Sequence, residues 1–205
     1  IYNWYYNDTI FLTFKLKISF LIISRRIIIL EFKKLDNISK DTMNNVKDLS
    51  NLEVNHLVDY DTDMLKEAIN FEKNIFGDLG MNEWGIVPQI RHGNVYVLKE
   101  PGKSKDIIGL AIMMRDWDDL GEVYLFDFGI KTKYQNKGLG TEFLQIISNH
   151  LRNNDFDKIS LTVDPDNGSA VHVYKNKLGF RIKKKSKHEY GENVERYIMK
   201  LDLNN

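Results

Sequence analysis

Residues 126–141, FDFGIKTKYQNKGLGT, limit the possible folds more tightly than any other stretch of this chain. An apolar strand pattern runs into a short loop bearing Gly138 and Gly140, and a helical pattern follows at once over 138–151. Leu139, Phe143, Ile147 and Leu151 fall on one face of that helix, and Leu144 widens the stripe. The opening turn of a helix carries unpaired N–H groups and the positive end of the dipole. Glycine lets the backbone come close to a ligand. Together these make a cradle for phosphate, and Lys131, Lys133 and Lys137 add positive charge beside it. Two familiar cradles fail on the text itself. A Walker loop needs a lysine before its Ser/Thr, but Gly140 is followed directly by Thr141. A dinucleotide fingerprint needs a third glycine where Phe143 stands. The ordinary alternative is a plain strand–helix turn with glycine for flexibility.

The regions around this block alternate between period two and period 3.6. Strands are expected at 52–59, 94–99, 107–114, 122–130, 158–163, 180–185 and 195–203. A helix starts at Thr62, whose hydroxyl can cap its first turn. Leu65, Ile69, Ile75 and Phe76 continue it, and the glycines of 77–80 end it. A short helix is expected at 169–177 after the turn at 164–168, with Gly179 closing it. Strands joined through helices imply parallel neighbours, and short connections imply hairpins. The expected class is α/β or α+β, with a single mixed, mostly antiparallel sheet flanked by helices.

The first residues read differently. Segment 11–30 is apolar, but Lys15, Lys17, Arg25 and Arg26 interrupt it, and central charges cost about 2.5–3.5 kcal/mol each in a membrane. Residues 14–18 alternate with period two, so a strand suits them as well as a helix does. Residues 36–50 are polar and read as a linker, and Met43 is an alternative initiator. The chain therefore divides into an extension of unknown role at 1–48 and a folded domain at 49–205. Hydrophobic content of 42% suits a packed core. Lys+Arg and Asp+Glu both number 29, so the basic excess usual for nucleic-acid binders is missing. The chain has no cysteine, which excludes disulfides, zinc thiolates and a cysteine nucleophile, and fits a cytoplasmic protein.

Gln135-x-x-Gly138-x-Gly140 resembles the Gln/Arg-x-x-Gly-x-Gly/Ala signature of the GNAT superfamily of acyl-CoA-dependent N-acetyltransferases. Downstream, Asn167, Ala170, Tyr174, Leu178, Gly179 and Phe180 are similar to that family's second block. One helix and one strand separate the two blocks, as in the family, and the resemblance runs from about residue 52 to 203. Thr132 stands where proline is frequent. The resemblance implies a GNAT-like fold with acetyl-CoA as cosubstrate and no metal. It implies that Gln135, Asn136, Lys137, Gly138, Leu139, Gly140 and Thr141 hold the pyrophosphate. It further implies that Phe128, Gly129 and Ile130 pair with the pantetheine arm in a gap beside strand 158–163, that Asn167 adds to the cofactor site, and that Tyr174 is the general acid.

The chemistry so implied sets its own requirements. An alkyl amine with a pKa near 10.4 is nucleophilic in only about one molecule per thousand at neutral pH, so a proton acceptor is needed. Asp127 is the first candidate: 125–129, LFDFG, is similar to the Leu-Glu-Asp-Phe-Phe pattern of spermidine/spermine acetyltransferases, with Phe126 in place of the glutamate. Asp127 could equally bind the cationic amine or satisfy a backbone group. Glu122 is the second candidate, although a glutamate at a strand edge is more often simply solvated. Thr162 occupies the place where ribosomal-protein alanine acetyltransferases carry a glutamate. Without cysteine no acetyl-cysteine can form, so direct transfer in a ternary complex is expected, to a small amine, a polyamine or a protein amine. Two other readings remain: a coenzyme A-binding protein of the same fold without catalysis, and a ribosome- or nucleic-acid-associated module using the lysines of 183–187. Those lysines also suit a solvated sheet edge. The five histidines show no metal-ligand spacing. Trp84 and Trp117 are placed in loops that could line an acceptor pocket. No membrane partner is expected, and a homodimer is plausible on family grounds.

Overall fold

The computed structural model describes residues 52–102 and 106–204. The extension at 1–48, the linker and Met43 lie outside the described residues. Seven strands form one sheet: β1 (Glu53–Leu57), β2 (Asn94–Lys99), β3 (Ile107–Arg115), β4 (Glu122–Ile130), β5 (Lys158–Val163), β6 (Arg181–Ser186) and β7 (Arg196–Asp202). Their spatial order is β1-β2-β3-β4-β5-β7-β6. All neighbours are antiparallel except β4 and β5, which are parallel and joined through a helix. The expected single, mostly antiparallel mixed sheet is therefore the one observed.

Among the described residues four α-helices flank it: α1 (Thr62–Phe76), α2 (Glu83–His92), α3 (Leu139–Arg152) and α4 (Gly168–His172). Asp61 caps α1, not Thr62: the Met64 amide donates to its carboxylate at 2.8 Å. The carboxylate also carries full charge against the helix dipole, which a threonine hydroxyl does not. Asn82 caps α2 through the Trp84 and Gly85 amides. Trp84 thus lies in a helix and not in a loop, while Trp117 occupies the β3–β4 connection as expected; both point to solvent, at 83% and 93% exposure.

The two faces of the sheet bury different helices. Phe128 stacks on Phe143 of α3 with ring centroids 5.8 Å apart. Its neighbour Gly129 faces the other way, since a Cβ there would lie 2.9 Å from Ile75 Cγ2 of α1. Phe71, Ala68, Ile86 and Ile90 of α1 and α2 join Val95, Val97, Leu110 and Ile112 in the core on that second face. On the α3 face Leu139, Phe143, Leu144, Ile147 and Leu151 are all buried. Burying each such side chain contributes about 1.5–3 kcal/mol.

The strand β4 is not regular. Opposite β3, Ile112 pairs with Asp127 and Met113 pairs with Leu125, so Phe126 is an extra residue. Such a bulge bends its strand. The parallel pairing of β4 with β5 runs only through Glu122↔Lys158, Val123↔Ile159 and Tyr124↔Ser160, and stops just before the bulge. Beyond it, β4 and β5 part, leaving the β5-side edge of residues 126–130 outside the ladder.

The helix expected at 169–177 changes character midway. After α4 the chain widens into a π-turn over Val173–Lys177, where the Leu178 amide reaches back to the Val173 carbonyl at 3.0 Å. The basic strand β6 is the sheet edge; its lysines are exposed and a bulge falls at Lys183. Both features discourage pairing with another chain.

Gly80 is required by packing. A Cβ there would lie 2.6 Å from both the carbonyl carbon and the oxygen of Glu72, which are backbone atoms within a helix. Gly80→Ala should therefore cost at least about 2 kcal/mol, read as a lower denaturant midpoint without a change in slope.

Candidate functional site

The open end of the β4–β5 fork is where the loops after both strands meet. After β4, a 3₁₀ turn over Thr132–Tyr134 leads to Gln135, whose side-chain amide donates to the Ile130 carbonyl at 2.8 Å and pins the loop to its strand. Asn136 then takes a positive φ of 60° and Gly138 one of 84°. For Gly138 this left-handed conformation is free of Cβ strain, and it turns the chain into α3. Among the described α-helices, α1, α2 and α4 are capped by Asp61, Asn82 and Asn167, whereas Gly138 gives α3 no side-chain cap. The first internal bond of α3 is Glu142 N–H to the Gly138 carbonyl at 3.2 Å. Among the described residues no side chain caps the amides at the start of α3, the arrangement that an anion site requires. A Cβ on Gly140 would meet Ile130 and Phe128 only at ordinary contact distance, 3.5–3.6 Å, so an alanine would fit there too.

The charge around this loop differs from the sequence-based expectation. Lys131 turns away from it, bonding Glu67 Oε1 of α1 at 2.8 Å and Asp106 Oδ1 at 2.6 Å. Its charge is spent on tying α1 to the start of β3, a tertiary pairing with no local signal. Lys133 and Lys137 lie over the Tyr134 ring, at 4.8 and 5.7 Å from its centroid.

Tyr174 sits on the π-turn and packs across the fork. Its ring centroid is 6.5 Å from that of Phe128 on β4 and 5.6 Å from that of Phe180. Burial raises its pKa, so the phenol stays protonated at neutral pH. Asn167, at the start of α4, uses its carboxamide oxygen to cap the Ala170 amide at 3.2 Å.

Asp127 faces α1, on the same side as Gly129 and opposite to Phe128. Burial pushes its carboxyl up to about 6. A second carboxylate comes to it that sequence reading did not single out. Glu72, in the middle of the apolar face of α1, is fully buried. Its Oε2 accepts the Met81 amide at 3.2 Å, and its Oε1 is buried with no hydrogen-bond partner. Burial, then the neighbouring Asp127 charge, lift Glu72 to about 7. The available signal was an acidic residue on a helical stripe otherwise made of Ala68, Phe71 and Ile75. Glu122 is not brought to this pair. It lies at the closed end of the fork, buried, with Lys200 Nζ at 2.5 Å.

At the vertex of the fork, three hydroxyls close a triangle: Tyr124 to Thr162 at 2.9 Å, Tyr124 to Tyr190 at 3.0 Å, and Thr162 to Tyr190 at 2.8 Å. Tyr190 comes from the β6–β7 connection, so these bonds hold that loop against the mouth. Arg196, paired with Asp164 at 3.0 Å, lies over the Tyr190 ring. Burial raises the Tyr124 hydroxyl to about 12, so it stays a neutral hydrogen-bonding group at physiological pH.

The model of the acetyltransferase (GNAT) family matches residues 62–180, more than half of the chain. A curated relative, the mycothiol acetyltransferase of Corynebacterium efficiens, is 32% identical over 77 residues; the match covers 38% of this chain and spans about a quarter of that relative's length, 25%. The ribosomal-protein-S18-alanine N-acetyltransferase of Escherichia coli superposes with a TM-score of 0.61 at 22% identity, over 74% of this chain and 94% of its own. A spermidine N-acetyltransferase chimera from Vibrio cholerae and hSSAT gives 0.59 at 16% identity, over 76% and 97%. At these identities the solved structures establish the fold. No helix of the described residues is long and apolar enough to cross a membrane.

Glu72 makes a testable demand on stability. Its folded pKa lies above the unfolded value of 4.5, so its contribution is complete below about pH 4 and is lost as pH rises through about 7. The buried ionised form then weighs on the fold by about 3 kcal/mol. Glu72→Gln should therefore raise Tm above that of the parent by several degrees near pH 8, with the gap closing by about pH 5, as followed by thermal unfolding at both pH values.

Proposed function

This chain belongs to the acetyltransferase (GNAT) family, and we propose that it moves the acetyl group of acetyl-coenzyme A directly onto a primary amine in a ternary complex. The observation that carries this reading is the uncapped start of α3 at the open end of the fork. In the proposal, the amides of residues 136–141 take the pyrophosphate of the cosubstrate, and Gln135 holds their loop in shape. The unpaired edge of Phe128, Gly129 and Ile130 takes the pantetheine arm as an added strand, which brings the thioester between β4 and β5. A backbone amide of that edge stabilises the oxyanion that forms on attack.

The two proton-transfer groups lie on opposite faces of the sheet, which suits this reaction. The acceptor amine enters from the α1 face, where Asp127 takes its proton as the new C–N bond forms. The thiolate leaves as the C–S bond breaks, on the side where Tyr174 packs against Phe128, and the phenol returns a proton to sulfur. A carboxyl near 6 is ionised at neutral pH yet more basic than an ordinary aspartate. Glu122, committed to Lys200, is not given a role in this scheme, and Thr162 is held in the hydroxyl triangle. The acceptors named for the relatives include an N-terminal alanine of a ribosomal protein and spermidine, so both protein and polyamine amines belong in the search.

A screen of coenzyme A release against protein N-terminal peptides, polyamines and simple alkyl amines tests the activity, and release with none of them rejects it. With the best acceptor, initial-rate plots should intersect; parallel lines would contradict direct transfer. Tyr174→Phe should lower kcat by roughly 10–10³-fold with the affinity for acetyl-CoA retained, and Asp127→Asn by roughly 10²–10⁴-fold. Unchanged turnover in either variant removes that residue from its role.

A further inference from the structure

Charge is segregated along this chain. Residues 168–188 hold seven Lys+Arg and no Asp or Glu, although the net charge of the whole chain is zero. The rest of the chain is therefore acidic by the same amount. Two of the seven cations lie on the π-turn, four on β6 and one directly after it, and all are exposed. Among the described residues one of them has an ion-pair partner: Lys185 reaches Glu195 at 2.7 Å. Lysines on an edge strand guard it against strand addition, but that role ends with the strand. It accounts neither for the cations of the π-turn and Lys187 nor for the lack of acids among them, since solubility is served by mixed signs.

The register places this edge beside the fork. β4 and β5 are parallel, and β7 is antiparallel to both β5 and β6. β6 therefore runs the same way as the fork strands and ends at the side of the sheet where they open. Lys184 pairs with Ile198, which pairs with Thr162, so these three share one face of the sheet. Two strand spacings, about 10 Å, separate Lys184 from Thr162. The connection after β6 folds back over that gap. Tyr190 bonds both Thr162 and Tyr124 at the vertex, and within the connection the Asn193 amide donates to His188 Nδ1 at 3.0 Å. The same connection carries Glu192 and Glu189, and the charge of Glu189 acts on the Tyr124 hydroxyl. A basic track thus leads to a mouth fringed with carboxylates.

We propose that the basic track of β6, with Lys183, Lys184 and Lys187, docks the acidic side chains of a polypeptide acceptor whose amine enters the fork. The substrate class is then a protein or peptide with acidic residues near its reactive amine. The proposal rests on reading the fork as the place where the acetyl group meets that amine. A free ammonium suits the carboxylates of the mouth, and carboxylates further along the partner suit the lysines. At about 3.3 Å per residue, the six residues of β6 match about six extended residues of the partner. The bulge at Lys183 keeps the partner from joining the sheet as a regular strand, so side-chain charge carries the recognition. A polyamine, cationic throughout, meets repulsion along the track. A nucleic acid matches the lysines but presents no alkyl amine to the fork.

The test uses the full chain and peptides that differ only in a run of six glutamates, six glutamines or six arginines. Each has one alkyl amine, supplied by a free N-terminus in one set and by a single lysine in the other. In the set that is acetylated, kcat/KM should fall from glutamate to glutamine to arginine. The glutamate peptide should lead the glutamine peptide by about tenfold or more at low ionic strength, and the gap should close as sodium chloride is added. The charge-reversed chain K183E/K184E/K187E should favour arginine over glutamate. Equal kcat/KM for the three runs, or a gap that neither salt nor charge reversal alters, overturns the docking surface and leaves acetyl transfer standing. Fluorescence anisotropy of the same peptides, labelled at the C-terminus, separates binding from turnover. Glutamate-peptide binding that the reversal abolishes, with no acetylation of any amine, rejects the acetyltransferase reading and keeps the surface. A labelled oligouridylate that binds more tightly than the glutamate peptide, and is lost on the same reversal, overturns the choice of a polypeptide.

Discussion

The parting of β4 from β5 is the constraint on which the rest depends. Two parallel strands normally share their edges to the end, and every main-chain group left out of the ladder is a cost. Here pairing stops at Tyr124 and Ser160, and the extra residue Phe126 follows immediately. An unpaired edge in the middle of a seven-stranded sheet is tolerable only where something else satisfies it. The same break brings the C-terminal ends of two parallel strands to one opening, with the loop to α3 on one side and the turn to α4 on the other. A fork of this kind is the natural place for an elongated ligand that ends in phosphate.

The helices then divide the labour between faces. Alternation along β4 sends Phe128 to α3 and Gly129 to α1, and the lack of a side chain at Gly129 lets Phe71 and Ile75 of α1 pack close to the strand. That close approach is also what brings Glu72 to Asp127. Two adjacent residues of β4 thus set the packing of both faces. The polar groups of the α1 face form a graded series along β4. Glu122 is paired with Lys200 at the closed end, the Tyr124, Thr162 and Tyr190 hydroxyls bond one another at the vertex, and among the described residues the buried Glu72 has one oxygen without a hydrogen-bond partner.

Most of the element order was readable from local periodicity. Strand 158–163 was read with its observed bounds, because Ile159, Leu161 and Val163 alternate cleanly. The helix α2 has no bounds in the sequence reading; Pro88 sits inside it and removes an internal hydrogen bond. The cap on α1 was misplaced by one residue, as Asp61 and Thr62 are both competent caps and only backbone dihedrals separate them. The π-turn that carries Tyr174 has no local signature, and it sets that ring beside Phe128 and Phe180.

By itself the sequence determined the strand–glycine–helix block, the class of sheet and the residues around the fork, because each follows from side-chain period, glycine freedom and turn chemistry within a few neighbours. Tertiary structure alone decided which charges are left unpaired. Lys131 reads as a phosphate-side cation, yet it is claimed by Glu67, 64 residues away, and Glu122 reads as a base, yet it is claimed by Lys200, 78 residues away. Glu72 reads as one more polar helix residue, yet among the described residues it is fully buried with one carboxylate oxygen that has no hydrogen-bond partner. Whether a charge is solvated, paired or stranded depends on what the fold brings within a few ångström of it, and that distance is not written in the local sequence.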